Sequence, residues 1–491
     1  MKSPRLFPRR RRQRGQAILW FLAMTAACCA ALALVFNVGQ VANEKEKTVN
    51  AADATALAGA MVEARMLNFD SYCNRAIIAD EVNVAQLISL DSWYQYLNQF
   101  SQNLRTAFGW VPEVGNILQS LATAMMEGGE DLDAFVQAMI TADQTAVTGM
   151  LEAQQYAVRS TAVPAARDIA NKIATANQAS VVTAVEATAF ALNLQAWLDF
   201  TKVYGKDDNG RDDRSTVAGV ILASRDQFST HRDGGAVIDA INLALGGPFA
   251  PTGVQKTSGD TILPTENGLT NYDRWEAQDS LDMWAGLQIF GHIVFKTYLP
   301  VPLAYGRRDA DQQGVEGANW DGTSHCPLPG TPNCEYAYQA GRAWSGWSGM
   351  PEITNLVNPG NANNDPSLTY VAGVTKAAPT TTQQLGMNVP VKGPQGSPDL
   401  KDNLQNNQLA SISAARISFM RPDWNINDKT QGQLPNRYKV HEYASLYNPY
   451  WQARLTNPDS VKLDGVSATS LLYTAIGQPG LNCAMNPTSC P

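Results

Sequence analysis

Histidine is nearly absent from this chain: His231, His292, His325 and His441 serve 491 residues. That scarcity removes the commonest general base and metal ligand from most of the molecule. His441-Glu442 opens like a zinc-protease helix, but the partner position four residues on is Ser445. No serine sits in a Gly-x-Ser-x-Gly elbow, and no Gly-x4-Gly-Lys-Ser/Thr loop is present, which withholds support from triad-hydrolase and P-loop readings. The expectation is a protein that is not an enzyme and carries no cofactor. Charged residues are also few, 17% against 44% apolar, a balance too apolar for a wholly disordered chain and too polar for a polytopic one.

Positive charge is missing from the body. Lys2, Arg5, Arg9, Arg10, Arg11, Arg12 and Arg14 place +7 before residue 15; with −8 overall, the remainder carries −15. Phosphate neutralisation needs a sustained excess of Lys and Arg, so nucleic acid is excluded as a partner of the body. Between Arg14 and Glu44 there is no charge at all. About 20 apolar residues suffice to cross a bilayer as a helix, and the basic flank faces the cytoplasm. Apolar character running on to Val41 outlasts the core of a cleaved secretory signal, which favours a retained signal-anchor. The expected partner here is membrane lipid.

Cysteines are seven, and two pairs flank Pro-rich turns: Cys326 with Cys334, and Cys483 with Cys490. These gaps exceed the two to four residues of zinc pairs and suit small disulfide loops in an oxidising compartment. Cys28 and Cys29 read as small apolar residues of the anchor. Cys73 is left over, as a buried thiol or an intermolecular link.

Helix breakers are rare early and common late. Residues 1–200 hold 4 of 26 prolines and 8 of 37 glycines. This predicts a membrane-anchored α+β protein: a basic cytoplasmic leader over 1–15, a single transmembrane helix over 16–43, an Ala-rich helical bundle or stalk over 44–203, and a Pro/Gly-rich mixed α/β exported domain over 204–491. Ala52, Ala56, Gly59 and Ala60 form a smooth strip on a long helix, with breaks expected near Asn68 or Asp91. The strip serves either other subunits or the protein's own body. A turn is expected at Glu127-Gly128-Gly129-Glu130 and a helix end at Pro164. Strand alternation marks Ile412, Ile417 and Phe419, then Tyr438, Val440 and Tyr443.

The acidic run Asp207–Asp213 is a weak calcium-loop candidate, because Arg211 fills a ligand-like slot and no glutamate closes it. Asp321-Gly322-Thr323-Ser324 lacks the last serine of a D-x-S-x-S adhesion motif. No metal site is expected.

Two short segments carry a family resemblance. Arg14-Gly15-Gln16-Ala17 enters the apolar run, and Asn50-Ala51-Ala52-Asp53-Ala54-Thr55-Ala56-Leu57-Ala58-Gly59-Ala60 follows it. Together they resemble the N-terminal region of TadG-like proteins of the bacterial tight-adherence (Flp) pilus machinery. The resemblance covers about residues 14–65. It implies a non-enzymatic pilus-assembly component in the bacterial inner membrane, N-terminus cytoplasmic and body periplasmic, meeting other assembly subunits through residues 16–65. Gly15 stands where prepilins are cleaved, although Trp20 occupies the position of their glutamate. The alternative is an exported binding or sensing protein with a ligand site in the aromatic C-terminal half.

Overall fold

The computed structural model describes residues 16–108, 114–180, 183–206, 212–244, 251–266, 269–289, 292–311, 326, 328, 330–340, 346–361, 364–377, 408–420, 443–458, 462–463 and 466–467. With no proline from Asn43 to Phe108, nothing interrupts the backbone ladder, and α1 runs unbroken for 93 residues, Gln16–Phe108. The breaks expected near Asn68 and Asp91 do not occur. Both side chains point sideways into neighbouring elements instead of competing for the helix backbone: Asn68 bonds to Trp451, and Asp91 pairs with Arg308 at 2.7 Å.

The expected transmembrane helix over 16–43 is corrected here. Among the described residues, no helix is long and apolar enough to cross a membrane. The apolar residues are the first turns of α1 and do not form a helix of their own.

A second helical run lies against α1. It comprises α2 (Val114–Ala142), a π-helical turn (Asp143–Thr148) and α3 (Gly149–Ala176). The turn expected at residues 127–130 is absent, and Pro164 lies inside α3. Helix α4 (Thr183–Phe200) leads into β1 (Thr201–Tyr204), which is followed by α5 (Arg214–Ser224), α6 (Gln227–Thr230) and α7 (Gly235–Ala244). An antiparallel sheet is centred on β5 (Arg274–Ile289), which pairs with β2 (Thr252–Ile262) on one side. The small hairpin β3 (Thr265–Glu266) and β4 (Leu269–Thr270) lies between these two in sequence. On its other side β5 pairs with β6 (His292–Tyr298) and β7 (Ala304–Asp311). Leu287 lies on β5 and Phe295 on β6. Helix α8 (Pro332–Ala340) lies on β5 and β7. Strand β8 (Ile353–Leu356) pairs with β1, and β9 (Ser367–Ala377), β10 (Gln408–Phe419) and β11 (Trp451–Thr456) form a second sheet in the order β11-β10-β9. A last hairpin joins β12 (Lys462–Leu463) to β13 (Val466–Ser467). Tyr438 and Val440 lie outside the described residues.

Both principal cores are built on α1. Ala56, Ala60, Ala64 and Leu67 meet Ala162, Val163, Ala166 and Ala170 of α3, Trp197 of α4, and Tyr370, Ala415, Ile417 and Phe419 of the β11-β10-β9 sheet. Three turns further along, Ile77, Val84, Ala85 and Ile88 meet Val136 and Ile140 of α2, Val217 and Ile221 of α5, and Trp275 and Ala310 of the other sheet. Each large aliphatic side chain buried this way contributes ~1.5–3 kcal/mol. The alanines contribute less area but let backbones approach closely.

Outer strands expose a row of unpaired peptide groups, and here helical asparagines cover them. Asn193 of α4 gives its amide N–H to the Val371 carbonyl and accepts from the Val371 N–H, both at 2.9 Å. Asn68 of α1 does the same for Trp451 of β11 at 3.0 and 2.9 Å, and Asn242 of α7 for Val254 of β2 at 3.0 and 2.7 Å. All three strands are outermost in their sheets. Truncating one such amide strands two buried backbone groups. Asn193→Ala is therefore expected to lower unfolding stability by ~1–3 kcal/mol in denaturant titration, whereas the exposed Asn50→Ala should change it by less than about 0.5 kcal/mol.

Candidate functional site: the small-residue seam and the apolar end of α1

The motif residues divide into two groups along α1. Arg14 and Gly15 lie outside the described residues. Gln16 opens the helix, and every described side chain from Ala17 to Leu32 is exposed. Ile18, Leu19, Trp20, Phe21 and Leu22 are each between 67% and 78% exposed. Successive helical residues are about 100° apart, so these five sweep the whole circumference. Cys28 and Cys29 are exposed on the same segment.

The helix enters the body at Glu44. Its carboxylate is bonded to Lys47 at 2.8 Å and to Lys376 of β9 at 3.2 Å, and these cations hold it below the usual carboxylate range. Asn50 is exposed, but Ala51, Ala52, Ala56 and Ala60 are buried and Asp53, Ala54, Leu57 and Ala58 half-buried, a repeat of two covered and two partly covered positions. Ala51 and Ala52 meet Ala174, Ala179 and Val374. Asp53 accepts the Ser413 hydroxyl of β10 at 2.6 Å. At Gly59 the helix backbone lies on the Tyr370 ring, where a Cβ would overlap it. The strip for which two roles were open is thus occupied by the protein's own α3 and sheet. Within residues 16–65, the exposed apolar surface lies toward the N-terminal end.

Beyond the motif, α1 carries a series of buried acids that sequence reasoning missed. Glu63, Asp70, Glu81 and Asp91 are at most 1% exposed, and Asp80 is nearly as buried. Burial pushes all five up: Glu63 well above its usual value, Asp70 to about 8, Glu81 to about 7 and Asp91 to about 6. For Asp91 the Arg308 guanidinium pulls the other way. Neither oxygen of Asp70 has a hydrogen-bond partner among the described residues. The signal was available: positions 63, 67, 70, 74, 77 and 81 keep one helix face, on which acids alternate with Leu67 and Ile77.

The remaining candidates fall as follows. Cys326 and Cys334 form a disulfide with Cα atoms 5.8 Å apart, and Cys483 and Cys490 lie outside the described residues. Cys73 is a buried thiol, raised to about 11 by burial and by Asp70. Residues 207–211 are not described; Asp212 pairs with Arg214 at 2.8 Å and Asp213 with Lys202 at 2.9 Å. Among the described residues no group of three or more acidic, His or Cys side chains could hold a metal ion. A shallow open cleft between α3, α4 and β9 is lined by Arg167, Phe190 and Tyr370, and its Arg167 and Glu186 are paired at 2.7 Å.

Residues 15–62 match the Tad family model, TadE/G-like Flp pilus assembly. The match covers the exposed segment and the buried seam together and bears out the resemblance read from Arg14–Ala17 and Asn50–Ala60. It ties this N-terminal region to Flp pilus assembly. No curated protein and no solved structure matches the chain.

Two expectations concern the seam and the acids. Gly59→Val forces a branched side chain into the Tyr370 ring and should cost ~1–3 kcal/mol in denaturant unfolding, whereas Ala58→Val, half-buried beside it, should cost less. The acids set a pH dependence. Asp70 is raised in the fold from 3.8 to about 8, so its proton stabilises the fold fully below about pH 4, and that contribution is lost as pH rises through about 8. Unfolding stability should therefore fall as pH is raised from about 6 to about 9. Asp70→Asn should flatten that slope by up to ~1.4 kcal/mol per pH unit, the worth of one proton.

Proposed function

We propose that this protein is a structural component of Flp pilus assembly that works by protein–protein contact, with no reaction of its own. The carrying observation is the full ring of exposed apolar side chains at Ile18–Leu22 at the head of a segment that matches the Tad family. A one-sided apolar stripe would suit a single partner face. A helix exposed all round needs neighbours on every side, which helices of other assembly subunits supply. The seam at residues 51–64 anchors this helix in the protein's own body, so the exposed end is held as a rigid arm.

We place the protein at the bacterial inner membrane with its body on the periplasmic side. The Cys326–Cys334 disulfide supports that placement, because such bonds persist in oxidising compartments. The +7 leader is suited to an anionic membrane surface.

The experiment is co-purification from detergent-solubilised membranes of cells expressing the pilus system. Leu19→Lys combined with Leu22→Lys should reduce recovery of other Flp assembly subunits at least about tenfold, a loss of ~1.4 kcal/mol or more. The thermal midpoint of the body should stay within about 2 °C, because these side chains are exposed and pack on nothing in it. Undiminished recovery would remove the proposed role of the arm.

A further inference from the structure

Between Met61 and Asp91, α1 sorts its charges by face. Its acids, Glu63, Asp70, Asp80, Glu81 and Asp91, are all buried, whereas both arginines, Arg65 and Arg75, are exposed. Met61, Arg65, Phe69, Tyr72, Ala76 and Ala79 recur at three- and four-residue spacing and are all exposed. They form one outward stripe about 27 Å long, with Arg75 at its edge. Tyr72 is 62% exposed. Neither arginine has an ion pair or hydrogen bond among the described residues.

The outward face of α2 has the opposite character. Val136 and Ile140 pack this helix on Ile77, Val84 and Ile88 of α1. On the other side Thr123, Glu127, Asp131, Phe135, Ala138 and Ala142 follow the same spacing, and all six are exposed. That face runs for about 28 Å, close to the length of the α1 stripe. Helix α2 contains no lysine or arginine. Glu127 and Asp131 have no ion pair or hydrogen bond among the described residues. Phe135, 54% exposed, is an apolar anchor between the acids and the alanines.

Both faces are exposed, so within one chain they do not cover each other. We propose that the outward face of α2 in one copy of this chain docks along the outward stripe of α1 in a second copy. This pairing brings opposite charges together, whereas two α1 stripes or two α2 faces would oppose like charges. A contact between two different faces is heterologous: each copy keeps one face of either kind free, and copies add head to tail. The side chains on the α1 stripe, Met, Arg, Phe and Tyr, are the types that anchor protein interfaces.

One pair of helix faces of this length buries less than the ~1,200–2,000 Å² of a stable interface, so each contact is weak and gains strength by repetition. The contact goes beyond the arm at Ile18–Leu22 and uses none of its side chains. A chain carrying Leu19→Lys and Leu22→Lys should keep it while losing other Flp subunits, so failure of either reading is visible without the other.

The test is sedimentation velocity of the detergent-solubilised full chain, from about 1 to about 100 μM at low salt. Dimers and larger species should appear with a Kd on the order of 10 μM. Arg65→Glu combined with Arg75→Glu should weaken association at least about tenfold, and so should Glu127→Lys combined with Asp131→Lys. An equal mixture of these two double variants should recover it, as should one chain carrying all the reversals, because opposite charges again face each other. The substituted side chains are exposed, so the thermal midpoint should stay within about 2 °C. For the wild-type chain, raising salt to about 500 mM should weaken association severalfold. A wild-type chain that stays monomeric at about 100 μM, double variants that associate undiminished, or a mixture that does not recover association overturns the docking.

Discussion

The structure depends on one helix being buried along most of its length by partners that lie far away in the chain. Isolated helices gain little from their own hydrogen bonds, and α1 is held by what packs on its faces. In the first core those partners are α3, α4 and the β11-β10-β9 sheet; in the second they are α2, α5 and the sheet centred on β5. Among the described residues neither sheet pairs with the other through strands, and α1 packs on both. The expected division between a helical region and a strand-rich domain therefore describes the chain order, while in space the late strands close over the early helix.

Polar residues give this packing its register. An apolar seam of alanines could slide by a turn at modest cost, since the surfaces repeat every four residues. Asn68, Asn74 and Asn193 forbid that, because each aims its amide at particular backbone groups: Trp451, then Thr354 and Leu446, then Val371. Buried pairs such as Arg308–Asp91 and Arg232–Asp279 at 2.9 Å act similarly in the second core. Such pairs roughly break even in energy, but a slipped register would leave their charges buried and alone. The same low-dielectric surroundings raise Asp70 and Glu81, so the specificity of the packing and its sensitivity to protons share one cause.

The arm and the seam illustrate how one helix can present two surfaces of opposite fate. From Ala17 to Leu32 its side chains are exposed, and from Ala51 onward most are enclosed. The change occurs around Glu44 and Thr48, where Lys376 of β9 first reaches the helix. The Tad match spans this boundary, so the family feature joins an anchored half to a free half.

Much of the backbone course was determined by the sequence alone. A proline-free stretch from Asn43 to Phe108 favours one continuous helix, alternation at Ile412, Ile417 and Phe419 yields β10, and the Cys326–Cys334 spacing suits a closed loop, because each depends on residues near in sequence. The turn expected at 127–130 and the stop at Pro164 were overridden, since tertiary packing outweighs a local cost of about 1–3 kcal/mol. What tertiary structure alone decided is which surface each residue meets. Gly59 needs Tyr370, Asn68 needs Trp451 and Glu81 needs Trp347, partners roughly 270 to 380 residues away, and no local pattern records a contact that chain folding alone brings together.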